Sequence, residues 1–107
     1  MEQIKIGDIL AGTWGYSMVI PAFYKVVNVT EKRLRLIALP KKMVGTADGG
    51  YGQQCYEVPE DVDTIRVNGK EGVLARPWKG WWLVGSKYGL RMLKKWDGQP
   101  VYADYCD

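Results

Sequence analysis

Between Phe23 and Leu39 two strand-like runs meet at Glu31-Lys32, and their alternation restricts the fold more than any other stretch. With those residues as a tight turn, Thr30 faces Arg33, Val29 faces Leu34, Asn28 faces Arg35, Val27 faces Leu36 and Val26 faces Ile37. Paired residues share a face and neighbours alternate. Val27, Val29, Leu34 and Leu36 therefore gather on one side, and Asn28, Thr30, Arg33 and Arg35 on the other. A slip of one residue would drive the arginines into the core, which sets the register. Toward the open end Tyr24, Val26, Ile37 and Leu39 make the second face apolar, so another part of the chain must cover it. A lone hairpin is marginal in water, and the expectation is a sheet that continues beyond it.

A chain of 107 residues suits one domain, 1–107, large enough to bury about two thirds of its unfolded surface. Its 13 glycines and 5 prolines fit short strands and frequent turns better than long helices. Hydrophobic residues at 47% and charged residues at 25% argue against disorder. No apolar run approaches the ~18 residues of a membrane span, and Met1 to Lys5 lack the pattern of a signal peptide. A cytoplasmic location is the expectation. Cys55 and Cys106 are far apart in sequence and form no ligand spacing, so reduced thiols are expected, a disulfide being the alternative.

The chain has no histidine. That removes the commonest general base, the commonest metal ligand and every Ser-His or Cys-His pair. The net charge of +3 permits attraction to nucleic acid without requiring it.

Along the chain, Asp8 to Thr13 reads as a first strand and Ser17 to Ala22 as a loop or edge segment closed by Pro21. Pro40 ends the central hairpin, and Lys41 to Gly52 reads as a mobile loop. Its Gly49-Gly50-Tyr51-Gly52 lacks the lysine and helix start of a phosphate loop. Cys55 to Val58 reads as a short strand, and Asn68-Gly69 as a hairpin turn that pairs Arg66 with Glu71. A second tight hairpin at Lys79-Gly80 pairs Trp78 with Trp81, Pro77 with Trp82, Arg76 with Leu83 and Ala75 with Val84. Ser86 to Trp96 carries Leu90, Leu93 and Trp96 at helical spacing, with Ser86 as N-cap and Gly98 beyond the end, and predicts a short helix. Pro100 to Tyr105 alternates like a final strand. The predicted fold is mainly β: a small antiparallel SH3-like barrel of about five to seven short strands with one short C-terminal helix.

Gly7-Asp8-Ile9, Trp14-Gly15-Tyr16, Phe23-Tyr24 with Val26-Val27, the run from Arg76 to Leu83, and Trp96-Asp97-Gly98 with Pro100 occur in an order that resembles a family of small uncharacterised proteins encoded by bacteriophages, prophages and other mobile elements. The resemblance implies an accessory protein of such an element and brings no activity with it. One departure stands out. The family follows Trp-Gly-Tyr with a polar run resembling Asp-Gln-Thr-Asn, whereas this chain has Ser17-Met18-Val19-Ile20, which shifts the expectation for this loop toward an apolar contact surface.

Three candidate sites follow. The first is a nucleic-acid platform of Trp78 and Trp81 with Arg76 and Lys79, joined in charge by Lys41 and Lys42, and by Lys87 or Arg91. Indole faces stack bases while cations track phosphates; the competing reading buries these rings in the core. The second is a protein-binding patch of Met18, Val19, Ile20 and Pro21, against which stands burial of the same segment. The third is catalytic, through Cys55 or through Asp8 with Asp97. Nothing in the sequence marks a group that would activate the thiol, and each aspartate sits beside a glycine, where its usual role is to accept a turn hydrogen bond. Glu57, Glu60, Asp61 and Asp63 read as a solvated acidic cluster. The expected protein is a non-enzymatic binder without cofactor or metal. Its expected partner is nucleic acid or, alternatively, a host or phage protein such as a defence system, with self-association a further candidate and no membrane.

Overall fold

The computed structural model describes residues 3–15, 18–46, 54–60, 72–86 and 89–105. These form nine strands: β1 (Ile9–Trp14), β2 (Ile20–Val29), β3 (Leu34–Ala38), β4 (Lys41–Thr46), β5 (Gln54–Pro59), β6 (Val73–Trp78), β7 (Trp81–Ser86), β8 (Gly89–Lys95) and β9 (Val101–Asp104). Six of them close an antiparallel barrel in the order β1-β2-β3-β6-β7-β8, and the other three make a small sheet in the order β4-β5-β9. Among the described residues there is no helix, and no helix is long and apolar enough to cross a membrane.

The central hairpin begins as its alternation predicts, with Val29 opposite Leu34 and Asn28 opposite Arg35. A bulge at Val27 then inserts one residue, so Val26 rather than Val27 meets Leu36, and Lys25 rather than Val26 meets Ile37. This turns Tyr24 and Val26 inward. They join Leu10, Leu34, Leu36, Ala75, Val84 and Leu93 in the barrel core, with Ile4, Ala22 and Trp82 packed against it. Phe23 and Leu39 are buried outside that cluster. The Phe23 and Trp96 rings meet edge to face, their centres 6.1 Å apart.

The β6–β7 hairpin has the register expected of it, from Ala75 opposite Val84 to Trp78 opposite Trp81. Lys79 and Gly80 both have positive φ, the conformation of a tight turn whose twist matches the flanking strands.

Where the sequence predicts a helix over Ser86 to Trp96, Gly89–Lys95 is instead strand β8, which closes the barrel. Leu10 pairs with Lys95 and Ala11 with Lys94 on one side of β8, while Trp82 pairs with Leu93 on the other. Had this segment coiled, β1 and β7 would each present an unpaired edge. The two leucines show the difference: Leu93 is fully buried and Leu90 is 61% exposed, opposite faces of a strand where a helix would put them together.

The small sheet is built from the segment between β3 and β6 and from the C-terminal strand. The loop expected from Lys41 begins as strand β4, paired with β5 through Lys41 opposite Pro59 and Lys42 opposite Val58. The segment at Met18 to Pro21 is no free loop either. Val19 exchanges two 2.8 Å backbone hydrogen bonds with Asp104, and β2 starts at Ile20. That bridge ties the small sheet to the barrel. Gly49 to Gly52, the Asn68-Gly69 turn with Arg66 and Glu71, and Tyr16, Lys87 and Cys106 lie outside the described residues.

Candidate functional site

Strands β6, β7 and β8 contain no acidic residue, and their outward face gathers the aromatic and basic groups that the sequence singled out. Trp78 and Trp81 stand opposite each other beside the Lys79–Gly80 turn. Trp78 is 43% exposed and Trp81 half-buried. Each indole carries an ammonium: Lys79 Nζ lies 4.8 Å from the ring centre of Trp78, and Lys94 Nζ 4.1 Å from that of Trp81. Such pairs are held by attraction between the cation and the negative face of the ring. In the next row Arg76 faces Leu83, which is buried, and Leu83 faces Met92. The Arg76 side chain is exposed and makes no hydrogen bond or ion pair with any described residue.

The face continues onto β3. Leu74 pairs with Arg35, and together with Asn28, Thr30, Arg33 and Leu34 they line a groove of about 230 Å³. Lys94, Arg33 and Arg35 are therefore additions to the site that the sequence reading missed. For Lys94 the obstacle is the helix expectation over Ser86 to Trp96, which does not set Lys94 beside Trp81. The alternation puts Arg33 and Arg35 on the polar side of their own hairpin, and only the pairing of β3 with β6 brings that side next to Leu74.

Lys41 and Lys42 do not join this face. Lys41 starts β4 in the other sheet, where its Nζ donates to the Pro21 carbonyl and to the Tyr105 hydroxyl, both at 2.8 Å, and lies 3.3 Å from Glu57 Oε1. Tyr105 donates to the same Glu57 oxygen at 2.6 Å. Burial, then the hydrogen bond to Glu57, then the negative charge of Glu57 hold the Tyr105 phenol well above its ordinary range. Glu57 is thus a buried ion-pair partner rather than a member of a solvated acidic cluster; Asp61 and Asp63 lie outside the described residues. Lys42 is exposed on β4.

In the second candidate segment Pro21 is buried, Met18 and Ile20 are half-buried and Val19 is exposed at the bridge to Asp104. Of the catalytic candidates, Cys55 is buried on β5. Asp8 Oδ2 accepts from the Lys5 backbone N–H at 2.9 Å and lies 3.7 Å from Lys95 Nζ, while Asp97 Oδ1 accepts from the Gln99 N–H at 2.9 Å. Both aspartates therefore make the turn hydrogen bonds that their neighbouring glycines implied. Among the described residues no three histidine, cysteine or acidic side chains come together as a metal site.

No protein-family model matches the chain, and neither a curated protein nor a solved structure matches it.

Proposed function

We propose that this chain is a non-enzymatic binding protein, an SH3-like barrel that takes single-stranded nucleic acid on the outward face of β6, β7 and β8. The observation that carries the reading is the pair of facing indoles, each under a lysine ammonium, on three strands without an acid. A base stacks on an indole whatever its sequence, worth about 1–3 kcal/mol per base. As it arrives, Lys79 or Lys94 exchanges its ring contact for the flanking phosphate, and Arg76, Arg33 and Arg35 extend the positive track. The barrel core behind the face keeps the platform rigid. Together with the sequence resemblance, this reading makes the protein an accessory factor of a phage or mobile element acting in the host cytoplasm.

The competing reading, a protein-interaction module presented by Met18 to Pro21, draws less support, because Pro21 is buried and Val19 is engaged with Asp104. Titration with a single-stranded oligonucleotide decides between them. Tryptophan fluorescence is quenched at low salt and recovers as salt rises, and an absence of quenching at low salt rejects the nucleic-acid reading.

A further inference from the structure

A second recess opens at the end of the barrel opposite the Lys79–Gly80 turn, and it does not belong to the face described above. It measures about 350 Å³ and is lined by Trp14, Ile20, Tyr24, Leu39 and Arg91, among others. Arg91 is the unusual member. It pairs with Val84 and lies two residues from Leu93, both of them buried in the core, so the strand's alternation aims its side chain at the barrel interior.

The guanidinium is fixed on two sides. One Nη donates to the Tyr24 hydroxyl at 2.7 Å, and the Arg91 Cζ sits 4.6 Å from the ring centre of Trp14. A guanidinium carries five N–H donors in a rigid plane, and Tyr24 receives one of them. Among the described residues no carboxylate pairs with Arg91. The other cation of the lining, Lys41, is already engaged with Pro21, Tyr105 and Glu57.

A positive charge held in place among apolar and aromatic walls, with most of its donors uncommitted, is the arrangement that receives an oxyanion in bidentate fashion. Filling the barrel end alone would call for an aliphatic side chain, like its neighbours Val84 and Leu93. The stack on Trp14 orients the guanidinium plane, and Ile20 and Leu39 offer an apolar wall beside it.

We infer that this recess binds a small oxyanion attached to a flat apolar body, with Arg91 as the anion-binding residue and Trp14 and Tyr24 as its positioning residues. The volume suits a molecule of amino-acid size or somewhat larger. A carboxylate and a phosphate monoester share the required chemistry, and the experiment separates them.

The test follows the Trp14 indole N–H by NMR on the full chain during titration with benzoate, phenyl phosphate and neutral benzamide. A saturable shift with either anion and none with benzamide is the expected result, and the tighter of the two anions names the ligand class. Arg91→Met weakens the interaction at least about tenfold, and Arg91→Lys retains part of it. The inference is overturned if neither anion shifts the resonance, if benzamide acts equally well, or if Arg91→Met binds as the unsubstituted chain does. Should Arg91→Met fail to fold, the comparison of benzoate with benzamide on the unsubstituted chain decides alone. Trp78→Ala leaves the response intact; its loss there would place the probe on the outward face and likewise reject the site.

Discussion

Trp78 faces Trp81 across a two-residue turn, and each ring lies under a lysine that comes from a different part of the chain, Lys79 from the turn itself and Lys94 from the strand that closes the barrel. The platform is thus half local and half tertiary. Its two rings also differ in exposure, which separates their expected behaviour on substitution.

Trp78→Ala removes an exposed ring and is expected to weaken single-stranded oligonucleotide binding by about 1–3 kcal/mol, roughly five- to 150-fold, with little change in the unfolding midpoint. Trp81→Ala loses a comparable amount of binding and also lowers stability, because its ring is half-buried. Fluorescence anisotropy of a labelled oligonucleotide beside urea denaturation measures both. Equal affinity in both variants would remove the platform.

Lys94→Ala is expected to lower the slope of log affinity against log salt by about 0.7, the contribution of one phosphate contact to a single strand, while stability falls by no more than about 1 kcal/mol, the worth of its exposed contact with Trp81. Lys41→Met should do the reverse. It leaves Glu57 buried without its cation at a cost of about 1–3 kcal/mol, below the range for a fully buried pair because Lys41 is partly exposed, and leaves oligonucleotide affinity where it was. The two substitutions together check which lysine serves the surface and which the fold.

Tyr105 gives a pH signature. Its phenol is held above the ordinary value of 10.0 in the folded chain. The folded state therefore retains a proton that the unfolded state gives up, so the contribution to stability is complete below about pH 10 and is lost as pH rises from there through the folded value. Tyr105→Phe is expected to be less stable by about 0.5–1.5 kcal/mol at neutral pH, with the gap closing in alkaline solution. Urea midpoints of the two chains across that range provide the measurement, and a gap that widens with pH would contradict the burial of this group.

Leu93→Asp and Leu90→Asp discriminate strand from helix at β8. The first places a charge in the barrel core and should leave no folded protein; the second is expected to stay within about 0.5 kcal/mol of the parent. Matching damage from both would restore the helical reading of this segment.

Gly72→Ala is expected to cost about 1–3 kcal/mol or more. Gly72 has a φ of +94°, and an added Cβ would meet the Leu36 carbonyl oxygen across the β3–β6 pairing. A shift in the denaturation midpoint at constant slope is the readout.

The β6–β7 hairpin was legible in the residues themselves because a two-residue turn at Lys79-Gly80 dictates the partners on either side of it, and the turn roles of Asp8 and Asp97 were legible for the same short-range reason. An alternating run likewise announced β2 and β3, although nothing in the run marked the bulge at Val27 that exchanges Val26 for Val27 in the core. Distant pairings decided the rest. Gly89 to Lys95 carries helical spacing, yet the unpaired edges of β1 and β7 outweigh a short helix that contains a glycine. Lys41 and Glu57 look like solvated surface charges in sequence and become partners because β4 and β5 bring them together against Tyr105. Turns and alternation act over a few residues and can be read along the chain. Which face is covered, and which charge meets which, depends on strands far apart in sequence that meet only when the barrel closes.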